Sequence, residues 1–148
     1  MRALVQRVTR ASVRVEGDTV GEIGPGLLVL VAVSVDDGMD EVAGMAAKLL
    51  HLRIFTDENG KMNRSVEDVQ GDILLISQFT LYGDVRKGNR PGFERSAPPG
   101  QALPLYESLA AALAATGLSV QTGVFAAHMD VELVNDGPVT LQLDMPPV

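Results

Sequence analysis

The 148-residue sequence contains no cysteine, which excludes disulfides, thiolate zinc sites and a cysteine nucleophile. Histidine occurs only twice, as His51 and His128, too few for a histidine-rich metal centre. No metal and no cofactor are expected. Basic residues are also scarce: 12 Lys and Arg stand against 19 Asp and Glu, for a net charge of −7. Phosphate binders usually show a basic domain or face, so any nucleic-acid surface here must be local. The balance alone favours a small-molecule enzyme or a protein-binding module. Long apolar runs are missing too. The longest, Leu27 to Val33, is far too short to cross a bilayer, and Met1 to Val8 carries charges where a leader's apolar region would lie. The chain is expected to be cytoplasmic, without a membrane partner.

What is present suits one domain with one sizeable core: 46% of residues are hydrophobic and 21% charged. Polar and apolar residues alternate from Arg2 to Val8, predicting a half-buried strand, and a second strand fits Ala11 to Val15. Turns at Glu16-Gly17-Asp18 and Gly24-Pro25-Gly26 bracket a strand from Thr19 to Ile23. The Val- and Leu-rich run from Leu27 to Val35 suits a strand covered on both faces. Asp36-Asp37-Gly38 opens a helix with Val42, Met45, Ala46, Leu49 and Leu50 on one stripe. A short strand at Leu52 to Phe55 precedes the Asn59-Gly60 turn, and Ile73 to Ser77 is a further apolar strand. Leu81 to Gly100 reads as a long surface loop. A second helix is predicted from Leu103 to Thr116, with Pro104 in its first turn and Leu105, Leu109, Ala112 and Leu113 buried. Strands at Val120 to Val124, Phe125 to Leu133 and Val139 to Leu143 complete an α+β domain spanning residues 1–148.

The usual catalytic constellations are weak. A Ser–His–Asp triad could draw on Ser77 and His128, but nothing in the spacing requires it. Asp57-Glu58-Asn59-Gly60 lacks the alternating acidic ligands and distal Glu of a calcium loop, and reads as a turn. Gly21 to Gly26 opens no helix, so it is hairpin punctuation rather than a phosphate cradle. Three features remain open. Ser77-Gln78-Phe79-Thr80 either lines a pocket with hydroxyls, an amide and backbone N–H groups, or is merely a polar strand end. Asn135-Asp136-Gly137-Pro138 makes a tight turn, with a cis bond as an option that the sequence does not choose. The loop from Arg86 to Arg95 concentrates basic side chains in an acidic chain, and is either a phosphate contact or a solvated loop.

Over nearly its full length the chain resembles the D-aminoacyl-tRNA deacylases, the D-tyrosyl-tRNA(Tyr) deacylase family. The specific segments are Ser77-Gln78-Phe79-Thr80-Leu81-Tyr82, Arg86-Lys87-Gly88-Asn89-Arg90-Pro91 and Asn135-Asp136-Gly137-Pro138-Val139-Thr140. Met1 to Val8, Ala11-Ser12-Val13, Ile23 to Leu30, Leu52 to Phe55 and Gly60 to Asn63 add to the likeness. The resemblance implies mostly antiparallel strands in a barrel-like sheet packed with two helices. It also implies a homodimer with active sites at the subunit interface. The implied reaction is hydrolysis of the ester joining a D-amino acid, or glycine, to the terminal ribose of tRNA. Ser77, Gln78, Phe79 and Thr80 are the implied catalytic segment. Gly137 and Pro138 from the other subunit would filter chirality through a cis bond, Arg7 would steady them, and Met129 would join the substrate pocket. Arg86, Lys87 and Arg90 are the expected tRNA contacts. An ester activated by a neighbouring ribose hydroxyl needs positioned donors and a water more than a potent nucleophile, which suits a chain without cysteine.

The sequence departs from the family pattern at Ala126, where glycine is usual, and at Gly83, where alanine is common. Two other readings stay open. One is a small-ester hydrolase using Ser77 or Thr80 as nucleophile, and the other is a dimer that binds tRNA ends without cleaving them.

Overall fold

The period-two alternation at the start of the chain does not stop at Val8. In the computed structural model, which describes residues 1–147, Arg2–Val15 is one continuous strand, β1, of 14 residues. Exposed Thr9 and Arg10 interrupt the pattern without ending the strand, so the two predicted strands are one. Strands β2 (Asp18–Ile23) and β3 (Gly26–Ala32) follow through the predicted turns. The third strand stops three residues before its predicted end. Ser34 has already left it to bridge Ser96.

Helix α1 (Met39–His51) buries Val42, Met45, Ala46, Leu49 and Leu50, the stripe predicted from spacing. The Gly38 N–H donates to the Glu41 carboxylate at 2.7 Å, which holds that carboxyl below its usual range and caps the first turn. The hairpin β4 (Phe55–Thr56) and β5 (Met62–Arg64) surrounds the Asn59-Gly60 turn, whereas Leu52 to Ile54 is not strand.

Strand β6 (Asp72–Ser77) leads into a 3-10 turn at Phe79–Tyr82. The predicted surface loop beyond it is in fact ordered by pairing. Asp84 and Gly92 exchange backbone hydrogen bonds of 2.8 and 2.9 Å, and the Ala97 N–H donates to Val33 at 2.9 Å. Tyr82 and Ala97 are buried.

Helix α2 (Pro99–Ala114) begins four residues earlier than predicted, because Pro99 fills the first helical position where a missing N–H costs nothing. Pro104 therefore lies inside the helix. The buried stripe is Ala102, Tyr106, Leu109 and Leu113, with Leu105 and Ala112 only half-buried. The Tyr106 hydroxyl donates to the Leu75 carbonyl at 2.7 Å and ties the helix to β6.

Strand β7 (Val120–Thr122) is short, and β8 (Asp130–Asp144) is a 15-residue strand. The predicted strand from Phe125 to Leu133 begins only at Asp130. Ala126 has a φ of +64°, a left-handed conformation that breaks an extended run.

One edge of β1 pairs with β8 throughout; its other edge is shared by β3 beside Arg2 to Val8 and β2 beside Ala11 to Val15, all antiparallel. The β3–β6 and β6–β7 pairs are parallel, each joined by a crossover through a helix. A Cβ on Gly21 of β2 would come within 2.9 Å of the Thr122 carbonyl of β7, so the sheet curls until its ends nearly meet.

The curled sheet separates two cores. One lies under the helices and includes Ala3, Val5, Leu27, Val29, Ile73 and Leu75. The other holds Val8, Ala11, Val13, Ile23, Leu28, Leu74 and Ile76. At about 1.5–3 kcal/mol for each fully buried side chain, both contribute substantially to holding β6 in place, and β6 delivers the candidate site.

Candidate active site

Ser77 is the last residue of β6 and pairs with Val31. It shares the helix-covered face with Ile73 and Leu75, since side chains alternate along a strand. The Gln78 N–H donates to the Val31 carbonyl at 2.7 Å, and the chain then leaves the sheet for the 3-10 turn. The Phe79 carbonyl accepts from the Ser96 hydroxyl at 3.0 Å, and the Phe79 ring, 55% exposed, meets the edge of Phe93 at 5.0 Å.

As the opening residues of a helical turn, Phe79 and Thr80 have N–H groups without intrahelical acceptors, and neither makes a hydrogen bond among the described residues. Two adjacent backbone donors beside an exposed aromatic ring can hold a developing oxyanion.

The side chains around them are poorly equipped for nucleophilic attack. The Thr80 hydroxyl oxygen accepts a hydrogen bond from the Gln78 amide, which has no basic atom to take a proton. His51 lies at the end of α1 against Glu67, at 3.2 Å, and exposed His128 precedes β8. Neither histidine hydrogen-bonds to Ser77 or Thr80.

The second signature segment is not a turn between strands but an excursion within β8. Gln6 pairs with Thr140 and Val8 with Asn135, so one step of two residues on β1 faces five on β8. Asp136, Gly137 and Pro138 are extruded. The Asn135 side chain closes the base of the excursion: its carbonyl accepts from the Val139 N–H at 2.7 Å, and its amide donates to the Val139 carbonyl at 3.1 Å and the Thr140 hydroxyl at 3.0 Å.

Arg7, 8% exposed, braces the same segment from β1. Its guanidinium donates to the Asp136 carbonyl at 2.9 Å and to the Ile54 carbonyl at 2.7 Å. The Gly137-Pro138 bond is cis. Gly137 has a φ of +147°, and a Cβ there would lie 2.8 Å from the Val139 nitrogen, so only glycine fits.

Within one chain the two segments do not meet. Ser77 aligns with Ala3 through Val31, whereas the excursion leaves β8 opposite Arg7. Four residues along β1 at about 3.4 Å each, and three strand spacings of about 4.8 Å, separate them by roughly 20 Å.

Met129 packs against Gly123, where a Cβ would come within 2.6 Å of its sulfur, and joins the core that contains Ile76. It therefore lies toward the C-terminal end of β6. Gly83 and the exposed Ala126 lie outside both signature segments.

In the basic loop, Asp84, Arg86, Lys87, Arg90 and Glu94 line an open hollow of about 410 Å³. Arg86 is not a free cation there. It pairs with Asp84 at 2.6 Å, and its guanidinium holds the Asp84 carboxyl down at about 2. Lys87 and Arg90 make no ion pair among the described residues.

Sequence reading passed over Asn135 as a clamp and Ser96 as the partner of Phe79. The tendency of Asn side chains to bond nearby backbone was available as a signal for the first. Ser96 reaches Phe79 only through the fold.

The family model described as D-Tyr-tRNA(Tyr) deacylase matches residues 4–144. A D-aminoacyl-tRNA deacylase of Deinococcus radiodurans is 59% identical over 145 residues, covering 98% of this chain and 100% of the relative. One from Heliobacterium modesticaldum is 58% identical over 144 residues, covering 97% and 96%. Among solved structures, a c-Myc DNA unwinding element binding protein superposes with a TM-score of 0.92 at 46% identity, covering 97% of this chain and 98% of that one. A probable eukaryotic D-amino acid tRNA deacylase superposes with a TM-score of 0.82 at 20% identity, covering 96% and 97%, which speaks for the shared fold alone. With the signature segments at the end of β6 and in the excursion of β8, this chain belongs to the D-Tyr-tRNA(Tyr) deacylase family.

Proposed function

We propose that this protein hydrolyses the ester of D-aminoacyl-tRNA, and of glycyl-tRNA mischarged on tRNA(Ala), releasing free amino acid and tRNA. It works as a cytoplasmic homodimer with each active site at the subunit interface. Gln78, Phe79 and Thr80 of one subunit receive the esterified end, and the Phe79 and Thr80 N–H groups stabilise the oxyanion as water attacks the carbonyl. The neighbouring ribose hydroxyl supplies local assistance, so no protein nucleophile is required. Gly137 and Pro138 of the other subunit enter that pocket. Their carbonyls accept from the substrate ammonium, and their rigid backbone leaves no room for an L-side chain. Met129 lines the pocket, Arg7 positions the filter, and Arg86, Lys87 and Arg90 form the basic loop that faces tRNA.

The observation that carries this reading is the excursion itself. A three-residue backbone loop, clamped by Asn135 and Arg7, is presented on the strand β8, whose outer edge pairs with no strand among the described residues. Its position, roughly 20 Å from Ser77 in the same chain by the sheet spacings, suits a partner's pocket rather than its own.

The deciding experiment incubates the protein with D-tyrosyl-, L-tyrosyl- and glycyl-tRNA. Loss of the D- and glycyl esters, with the L-ester spared, is expected; decay of the D- and glycyl esters no faster than in buffer would reject the assignment and leave a non-catalytic tRNA-binding dimer. Thr80→Ala and Ser77→Ala address the small-ester hydrolase reading. Each should retain activity within about tenfold, whereas loss of a true nucleophile costs several orders of magnitude.

A further inference from the structure

We propose that Arg95 is a phosphate-contacting residue for the 3′ end of the RNA substrate, gripping the phosphodiester next to the ester-bearing nucleotide. This rests on the reading that the esterified end enters at Gln78 to Thr80.

Arg95 is an exposed cation fixed at both ends. Its carbonyl accepts from the Val35 N–H at 3.0 Å, and its guanidinium lies over the Tyr82 ring, 4.9 Å from the centroid. Stacking on an aromatic face orients the planar fork and lowers the entropy lost when it binds an anion.

The stack also stands beside the chemistry. Tyr82 follows Thr80 by two residues, roughly 4 Å along a 3-10 turn. Ser96, next to Arg95, donates to the Phe79 carbonyl, and Phe93 supports the Phe79 ring. The segment that carries Arg95 thus builds the wall of the oxyanion turn.

Charge bookkeeping separates Arg95 from its neighbours. Arg2 lies over the same Tyr82 ring at 5.1 Å, but its guanidinium pairs with Asp144 at 2.8 Å. Arg86 is neutralised by Asp84, and the Glu94 carboxylate folds back against Gly92. Arg95 makes no ion pair among the described residues. Lys87 and Arg90 share that freedom, but they sit farther along the loop, beyond the Asp84–Gly92 bridge. In a chain of net charge −7, a preorganised guanidinium with no ion-pair partner among the described residues matches a phosphodiester that the site must admit.

The test measures deacylation of D-tyrosyl-tRNA and of 3′-D-tyrosyl-adenosine, which has the ester but no phosphate. Arg95→Gln is expected to raise KM for the tRNA substrate about five- to tenfold with little change in kcat, and to lower the salt slope by about 0.7, the loss of one single-strand phosphate contact. Hydrolysis of the adenosine ester should be unchanged. On the wild-type protein, a neutral methylphosphonate at the terminal linkage should reproduce the KM effect, and the two changes together should not add. That arm is independent of how the variant folds.

Equal losses on both substrates would mean that Arg95 only shapes the turn, and would overturn the proposal. So would an Arg95→Gln variant, or a methylphosphonate substrate, indistinguishable from its parent. Failure of the wild-type protein on every D-ester would instead reject the deacylase reading, and the Arg95 assignment with it.

Discussion

Gly137 and Ala126 both adopt positive φ, and only one of them is glycine. At Gly137 the conformation is closed to any L-residue and the space is filled by Val139. Gly137→Ala should therefore cost about 2–3 kcal/mol, read as a lower urea midpoint, and should displace Pro138. At Ala126 the φ of +64° puts a side chain in the left-handed region that favours glycine. A left-handed alanine is strained by about 1–2 kcal/mol, partly offset because alanine restricts the unfolded chain. Ala126→Gly is thus expected to raise stability by about 0.5 kcal/mol, measured by the same unfolding curve; a clear loss would contradict the strain argument. Neither effect is legible in the sequence, because φ at Ala126 follows from where β7 ends and β8 begins, and φ at Gly137 from the shift in pairing between β8 and β1. Arg7 is the complementary case. Its place in a strand was readable, but its grip on the carbonyls of Ile54 and Asp136 depends on partners 47 and 129 residues away.

Among the elements, the helix α1 was the most legible, since its five buried residues follow helical spacing without interruption. The sequence pattern splits each of the strands β1 and β8 in two, for different reasons. In β1 an exposed Thr9-Arg10 pair breaks the alternation where the strand pairing shifts register. In β8 the turn chemistry of Asn135 to Pro138 is genuine, but it extrudes a loop and the strand keeps pairing with β1 on both sides of it, in a shifted register. Local sequence reports the turn and cannot report the partner that carries the strand past it. The sequence pattern starts the helix α2 too late because Pro98-Pro99-Gly100 has loop composition, although Pro99 takes the first helical position. Its other proline makes a prediction. Pro104 lies inside α2, where it cannot donate to the carbonyl four residues back. Pro104→Ala should stabilise the protein by about 1–3 kcal/mol, seen as a rise in Tm of several degrees, with deacylation unchanged.

For the molecule as a whole, both of its tyrosines are buried, Tyr82 between two guanidiniums and Tyr106 on the inner face of α2. Burial pushes each phenol up to about 12. Unfolded tyrosine titrates near 10, so between about pH 10 and 12 the folded chain holds protons that the unfolded chain releases. Stability should be undiminished by this effect below pH 10 and fall as pH rises toward 12. Absorbance at 295 nm should show neither tyrosine ionising near pH 10 while the protein stays folded.

Assembly makes a second whole-molecule prediction. Among the described residues β8 leaves one edge unpaired, and it exposes Val134 and Leu141 to 39% and 38%. If this face carries the proposed dimer contact, Val134→Glu with Leu141→Glu should yield monomers on sedimentation and lower D-tyrosyl-tRNA hydrolysis more than tenfold. A monomer of full activity would exclude the shared site.

The filling of both edges of β1 bears on which parts of the protein open first. Its amides should exchange with solvent deuterium only through global unfolding, whereas the outer edge of β8 frays at far lower cost. Asp136 is tied to that slow-exchanging strand by Arg7, and Asn135 fastens Val139 at the other end of the excursion. Gly137 and Pro138 are thus anchored to the least yielding strand of the protein although they protrude from one of its loosest margins.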